Sequence, residues 1–160
     1  MSEKLISLIK TVELNTKLLL NCFADVDQVT AEKRISDKTN SMIFLLIHLI
    51  DARYYFINIL GAGVISPYYE LTKDIETIDG FKEYPQLEEM LKVWEDSNGL
   101  FVSKLSEVPE ETINKITEVK FPIDDTVFGA LTFCVQHESH HIGQLSFLRK
   151  YFGLPAMSYK

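Results

Sequence analysis

An all-α four-helix bundle is the fold this sequence predicts, on three observations. Four long segments carry apolar residues at helical spacing, glycine and proline punctuate the connections between them, and no apolar–polar alternation runs long enough to build a sheet. Four helices of twenty-odd residues bury one stripe each most economically in a bundle. The 160 residues, 46% hydrophobic and 24% charged, suit a globular chain with one core, so positions 1–160 read as a single domain.

The first helix is expected from about Glu3 to Asp25, where Leu5, Leu8, Ile9, Val12, Leu19 and Phe23 recur three and four residues apart. Positions 26–37 are polar and without periodicity, and Ser36, Asp37 or Thr39 offers an N-cap for the second helix. That helix, from about Lys38 to Leu60, is apolar nearly all round. Gly61, Gly63, Pro67 and Gly80 then mark a stretch to Tyr84 that is too long for an idle turn, so it is expected to pack over something or border a site. Pro85 suits the first turn of the third helix, which carries Leu87, Leu91, Trp94, Phe101 and Leu105, with a kink expected at Asn98-Gly99. Pro109 and Glu110-Glu111 break that pattern, and Val119-Lys120-Phe121 reads as a short extended piece before Pro122. Asp124 and Asp125 are positioned to cap a fourth helix that runs to about Phe152, where Gly153 and Pro155 stop it.

Sixteen basic residues against twenty-three acidic ones give a formal charge of −7, so the footprint of a nucleic-acid binder is missing. The most apolar run, Met42 to Ile50, contains His48 and is stopped by Asp51 and Arg53, short of the roughly 20 residues of a membrane span. The residues after Met1 lack the apolar core of a secretory signal, and two cysteines, Cys22 and Cys134, make no disulfide framework. A soluble protein of a reducing cytoplasm, with neither membrane nor nucleic-acid partner, is the expectation.

Three of the four histidines fall within five residues: His137, His140 and His141. At about 100° per residue, His137 and His141 share an arc with Val127, Leu131, Cys134, Ile142, Leu145, Leu148 and Phe152, while Thr132, Ser139, Gly143, Ser146 and Lys150 face away and His140 falls near the edge. Two imidazoles one turn apart can converge on one ion. On the second helix His48 shares a face with Leu45, Ala52, Phe56 and Ile59, so it too is expected to point inward. His48, His137 and His141 are therefore the candidate ligands of a divalent transition metal with open positions, and imidazole donors leave zinc, nickel, iron and copper all possible.

His137-Glu138-Ser139-His140-His141 also fits the H-E-x-x-H pattern, in which the glutamate is a general base on metal-bound water. The downstream ligand of such proteases is missing, since no Glu, Asp, His or Cys follows His141. Glu138 reads either as that base or as a carboxylate paired with Arg34 or Arg53. Asp51 reads as a partner orienting His48 or as a solvated acid, and Cys134 as a soft ligand or a small buried filler.

The segment Asn40-Ser-Met-Ile-Phe-Leu-Leu-Ile-His48-Leu-Ile-Asp-Ala, together with His137-Glu-Ser-His-His141-Ile-Gly-Gln144-Leu, resembles the DinB/YfiT-like family of metal-dependent enzymes over nearly the whole chain. The resemblance implies an up-down-down-up bundle, a divalent metal on His48, His137 and His141, and homodimers. It also implies, for some members, chemistry dependent on a low-molecular-weight thiol.

Independently of that resemblance, Ile43, Ile47, Ile50, Tyr54 and Ile57 form a second apolar stripe opposite His48, which either the segment after Gly61 or a twin subunit must cover. Three functions remain open: a metal-dependent thiol transferase, a metal-dependent hydrolase with Glu138 as base, and a non-enzymatic bundle that metal only stabilises.

Overall fold

A computed structural model describes residues 3–75, 77–81 and 83–159; Met1 and Ser2, where the reading of the N-terminus begins, lie outside them. Its frame is four helices: α1 (Glu3–Phe23), α2 (Met42–Ile59), α3 (Leu87–Glu107) and α4 (Val127–Tyr151). Each packs on two neighbours, in the ring α1, α4, α2, α3.

Two apolar clusters give the directions. One gathers Leu19, Leu46, Met90 and Leu145, from the end of α1, the start of α2, the start of α3 and the end of α4. The other gathers Leu8, Phe56, Phe101 and Leu131 from the opposite ends. Helices α1 and α4 therefore run one way and α2 and α3 the other, the up-down-down-up order with its long crossover between α2 and α3. The described residues contain no strand, only an isolated bridge between Ile116 and Thr126. The extended piece expected at Val119–Phe121 forms no strand: Val119 lies in a bend, and 120–121 are irregular, within the loop that the bridge closes.

Helix boundaries follow local chemistry. Asp25 in the left-handed region (φ 60°) ends α1, two residues early. The first connection is not structureless: Asp27 caps a turn at Gln28–Glu32 by accepting from Thr30 N–H at 2.7 Å. None of the expected caps starts α2. Ser36 and Thr39 close a turn on each other, Arg34 holds that turn through Thr39 O (2.7 Å) and Asp37 O, and Ser41 caps Phe44 N–H at 3.2 Å instead. Helix α3 continues through Asn98-Gly99 without a break. The cap of α4 is Thr126, bound to Gly129 N–H at 3.0 Å, while Asp124 accepts from Thr126 N–H at 2.8 Å.

On the face of α2 expected to point inward Leu45 and Phe56 are buried, but His48 is not, and the stripe expected opposite it is buried as well. Ile43, Ile47, Ile50 and Ile57 are fully buried, whereas His48 is exposed and Ala52 and Ile59 half-buried. The second stripe, Tyr54 half-buried and the rest fully so, is also core, and it is covered within the chain. Asn58 clamps Val64 through two hydrogen bonds, and Tyr68, Phe81 and Tyr84 from the crossover pack against the first cluster. Among the described residues α2 is the one helix long and apolar enough to cross a bilayer, but more than half of it is buried inside the bundle.

Candidate metal centre

The buried arc of α4 runs through Leu131, Cys134, Glu138, Ile142 and Leu145, and its middle lies roughly 90° from His137 at 100° per residue. The histidines thus occupy the rim of that arc, not its centre. On α2, His48 sits on the matching rim. The two rims face each other along the α2–α4 seam, and the three rings meet there.

The Nε2 atom of His137 lies 3.1 Å from that of His48 and 3.0 Å from that of His141. The three rings are mutually edge-on, with centroids 4.5–5.0 Å apart. Imidazole nitrogens 2.0–2.1 Å from one ion stand roughly 3.0–3.4 Å from each other at adjacent corners, so the spacing found here suits three ligands of one metal. Three donor atoms within 4.8 Å of one another form the only such group of His, Cys, Asp or Glu among the described residues.

The protonation states also fit. Burial lowers the pKa of His137 to about 4, with His141, His48 and His140 adding to the effect. His48 remains exposed as a residue, yet enclosure of its ring and then the nearness of His141 lower its pKa, against an opposing pull from Asp51. His141 is lowered by burial, while its bond to Gln144 opposes the shift. Neutral imidazoles offer the lone pairs that metals need. The tautomer of His141 is set from outside: Nδ1–H donates to Gln144 Oε1 at 2.7 Å, which leaves its Nε2 lone pair aimed at the cluster. His137 is held by packing instead. Its Nδ1 is buried with no hydrogen-bond partner among the described residues, and Phe133 lies 5.9 Å from its ring.

Other candidates are elsewhere. Glu138 is 1% exposed and turned into the bundle, where Arg53 Nε donates to its Oε1 at 2.8 Å and Asn15 Nδ2 to its Oε2 at 3.1 Å. The pairing with Arg53 is the one realised; Arg34 pairs with Asp79 at 2.7 Å. Asp51 accepts from Ser66 Oγ and acts on His48 only through its charge. Cys134 is a buried filler whose thiol points toward Glu138 Oε1 at 3.9 Å, and burial keeps it protonated. His140 is exposed, its ring 5.1 Å from that of His141. Together with Lys38, Leu45, Gln144 and Phe147 it lines a cavity of about 530 Å³ beside the cluster. A smaller cavity of about 150 Å³ opens against His48 under the crossover.

The residues missed by sequence reasoning are Gln144 as the orienting partner of His141 and the neutral partners of the buried pair, Asn15, Thr16 and Ser97. A polar residue three places after a candidate ligand was a readable signal for the first. The others look like ordinary surface residues of amphipathic helices.

Fold and site together define a helical-bundle protein with a three-histidine candidate metal centre on the seam between two of its helices. The chain belongs to the DinB family, whose model matches residues 1–159. Its fold is similar to the crystal structure of a DinB-like protein, YjoA, from Bacillus subtilis, at a TM-score of 0.64 and 16% identity over 99% of each chain. No curated protein matches it.

Proposed function

We propose that the protein is a divalent-metal-dependent enzyme, with His48, His137 and His141 as the metal ligands and a low-molecular-weight thiol as co-substrate in transfer to an electrophile. The observation that carries this reading is the convergence of three neutral imidazoles at a rim, where His48 is exposed. A three-histidine set open on one side leaves coordination positions for a reacting molecule, as catalytic sites require and structural sites do not. A bound divalent metal would lower the pKa of a thiol and hold it as thiolate.

The chain's own groups favour an outside sulfur over activated water. Both cysteines are buried, and burial raises Cys22 to about 12 and Cys134 well above its ordinary value, so neither supplies a thiolate. Hydrolysis with Glu138 as base lacks its base, because both oxygens of that buried carboxylate are already engaged. The cavity beside His141 falls in the size range of small-molecule sites and sets Lys38, Asn40, His140 and Gln144 against the apolar Ile35, Leu45, Phe147 and Leu148. A cytoplasmic homodimer completes the reading, the dimer supported by family resemblance and the compartment by a content of two cysteines, too few for a disulfide framework.

Elemental analysis of the purified protein beside His48→Ala tests the metal. Stoichiometric metal in the parent and its loss in the variant are expected, and a metal-free parent with no affinity for zinc, nickel or iron would overturn the reading. The reaction is tested by incubating the loaded protein with candidate thiols and a model electrophile. A rate no higher than that of the His48→Ala protein would reject the transferase.

A further inference from the structure

Behind the histidines, all four helices contribute to one buried polar layer. Arg53 is 0% exposed, its guanidinium 3.3 Å over the ring of Trp94. Besides Glu138 it donates through Nη1 to Thr16 Oγ1 at 2.9 Å and approaches Ser97 Oγ at 3.5 Å. Two charges inside a bundle are expensive, and well-packed apolar residues in their place are often neutral or stabilising, so stability alone does not account for this pair.

We propose that Arg53 and Glu138 are positioning residues for the candidate metal centre: their ion pair fixes the register of α2 against α4, so that His48 meets His137 and His141. The inference rests on the metal reading above for its functional meaning, but its physical content is the geometry of the histidines.

Three observations carry it. First, α2 presents Ile43, Leu45, Leu46, Ile47, Leu49 and Ile50 as near-equivalent buried aliphatics, a surface that by itself tolerates sliding and rotation. Second, Arg53–Glu138 is the only side-chain hydrogen bond between α2 and α4 among the described residues, apart from the contact of His48 with His137. It is the one directional restraint independent of the site. Third, the pair shares its register with the site. Glu138 follows His137 directly, and Arg53 lies five residues beyond His48 on a helix running the opposite way. A slip of α4 by one residue would move both Glu138 and His137 by roughly 1.5 Å and 100°, breaking the ion pair and the imidazole cluster together.

The layer's neutral members make a clean test possible, because each has a second partner. Asn15 also donates to Val135 O at 3.0 Å, Ser97 donates to Trp94 O at 2.6 Å, and the Thr16 hydroxyl reaches Val12 O at 2.9 Å. Replacing both charges at once, Arg53→Met with Glu138→Leu, therefore leaves Asn15, Thr16 and Ser97 each with a partner. This double variant should melt close to the parent. Its His137 and His141 imidazole nitrogen resonances, recorded on metal-free protein at one fixed pH, should shift or broaden, and its affinity for cobalt(II) should fall about tenfold or more. Unchanged imidazole resonances in a folded double variant would overturn the proposal, whatever the metal does. If the parent fails to bind cobalt(II), the metal reading falls while the resonances still decide the positioning role. Should the double variant not fold, Arg53→Lys keeps the charge and loses the planar guanidinium that donates to Glu138 and Thr16 together. Smaller shifts of the same resonances are then expected, and their absence counts against the proposal equally.

Discussion

Glu138 and His137 are adjacent in the chain, yet they belong to regions of opposite character. Glu138 joins a layer in which the carboxylate, one guanidinium edge, an amide and two hydroxyls are matched donor to acceptor, sealed from water by the apolar clusters on either side. His137 joins three rings that crowd their Nε2 atoms together with one hydrogen bond, from His141 to Gln144, directed outward. The first region is nearly satisfied as it stands; the second converges three lone-pair-bearing atoms on a point that a cation would fill. A polar group that is matched reads as architecture, and a polar group that is crowded without a match reads as a site.

The largest expected effect breaks the matched region. Arg53→Met alone leaves the Glu138 carboxylate buried without its cation, which should cost about 3–5 kcal/mol. Removing a rim histidine by His48→Ala should change the stability of the metal-free protein by about 0.5 kcal/mol or less, as for an exposed residue. Urea unfolding of both variants in the presence of a chelator checks the contrast. Equal losses would show that the two regions do not differ as described.

How much of this was legible in the sequence divides along the same line. The three histidines could be singled out because imidazoles at i and i+4 beside a distant third are rare enough to carry meaning, and the helices because α1 and α3 are plainly amphipathic. The orientation of α2 could not be read. A helix apolar nearly all round has no periodic signal, so the sequence places His48 inward with Leu45 and Phe56, whereas the structure buries those two together with Ile43, Ile47, Ile50 and Ile57 and leaves His48 exposed. Arg53 in the middle of that helix was the missing clue: a charge on a buried face that only a partner from α4 could explain. Caps were misplaced for a related reason. Ser36, Asp37 and Thr39 are all competent, and Arg34, whose partners are not sequence neighbours of any motif, decides that they close their own turn.

An intermediate effect sharpens the description of the second region. Gln144 touches the cluster only through the Nδ1–H of His141, so Gln144→Leu should leave stability within about 0.5 kcal/mol and weaken metal affinity by about 10–100-fold, the range for partners that orient a ligand. Cobalt(II) titration beside a thermal melt separates the two quantities. Parent-like affinity would mean that packing, as around His137, suffices to hold His141.

The last effect is one of pH, read in the crowded region. A histidine whose pKa is lower in the folded than in the unfolded chain binds fewer protons when folded, so between those two values stability rises with pH. For His137 the window runs from about 4, its folded value, to 6.5, its ordinary one; burial is the main cause, and His48 and His141 shift in the same direction. The metal-free protein should therefore lose stability as pH falls from 6.5 toward 4, and the contribution should level off below. Carboxylates titrate over part of the same range, so the comparison that isolates the histidine is the urea midpoint of the parent minus that of His137→Gln at each pH. That difference should favour the parent progressively as pH rises through the window and then become constant. A difference independent of pH would mean that His137 is protonated as readily folded as unfolded, and the crowding of three neutral rings would lose its energetic basis.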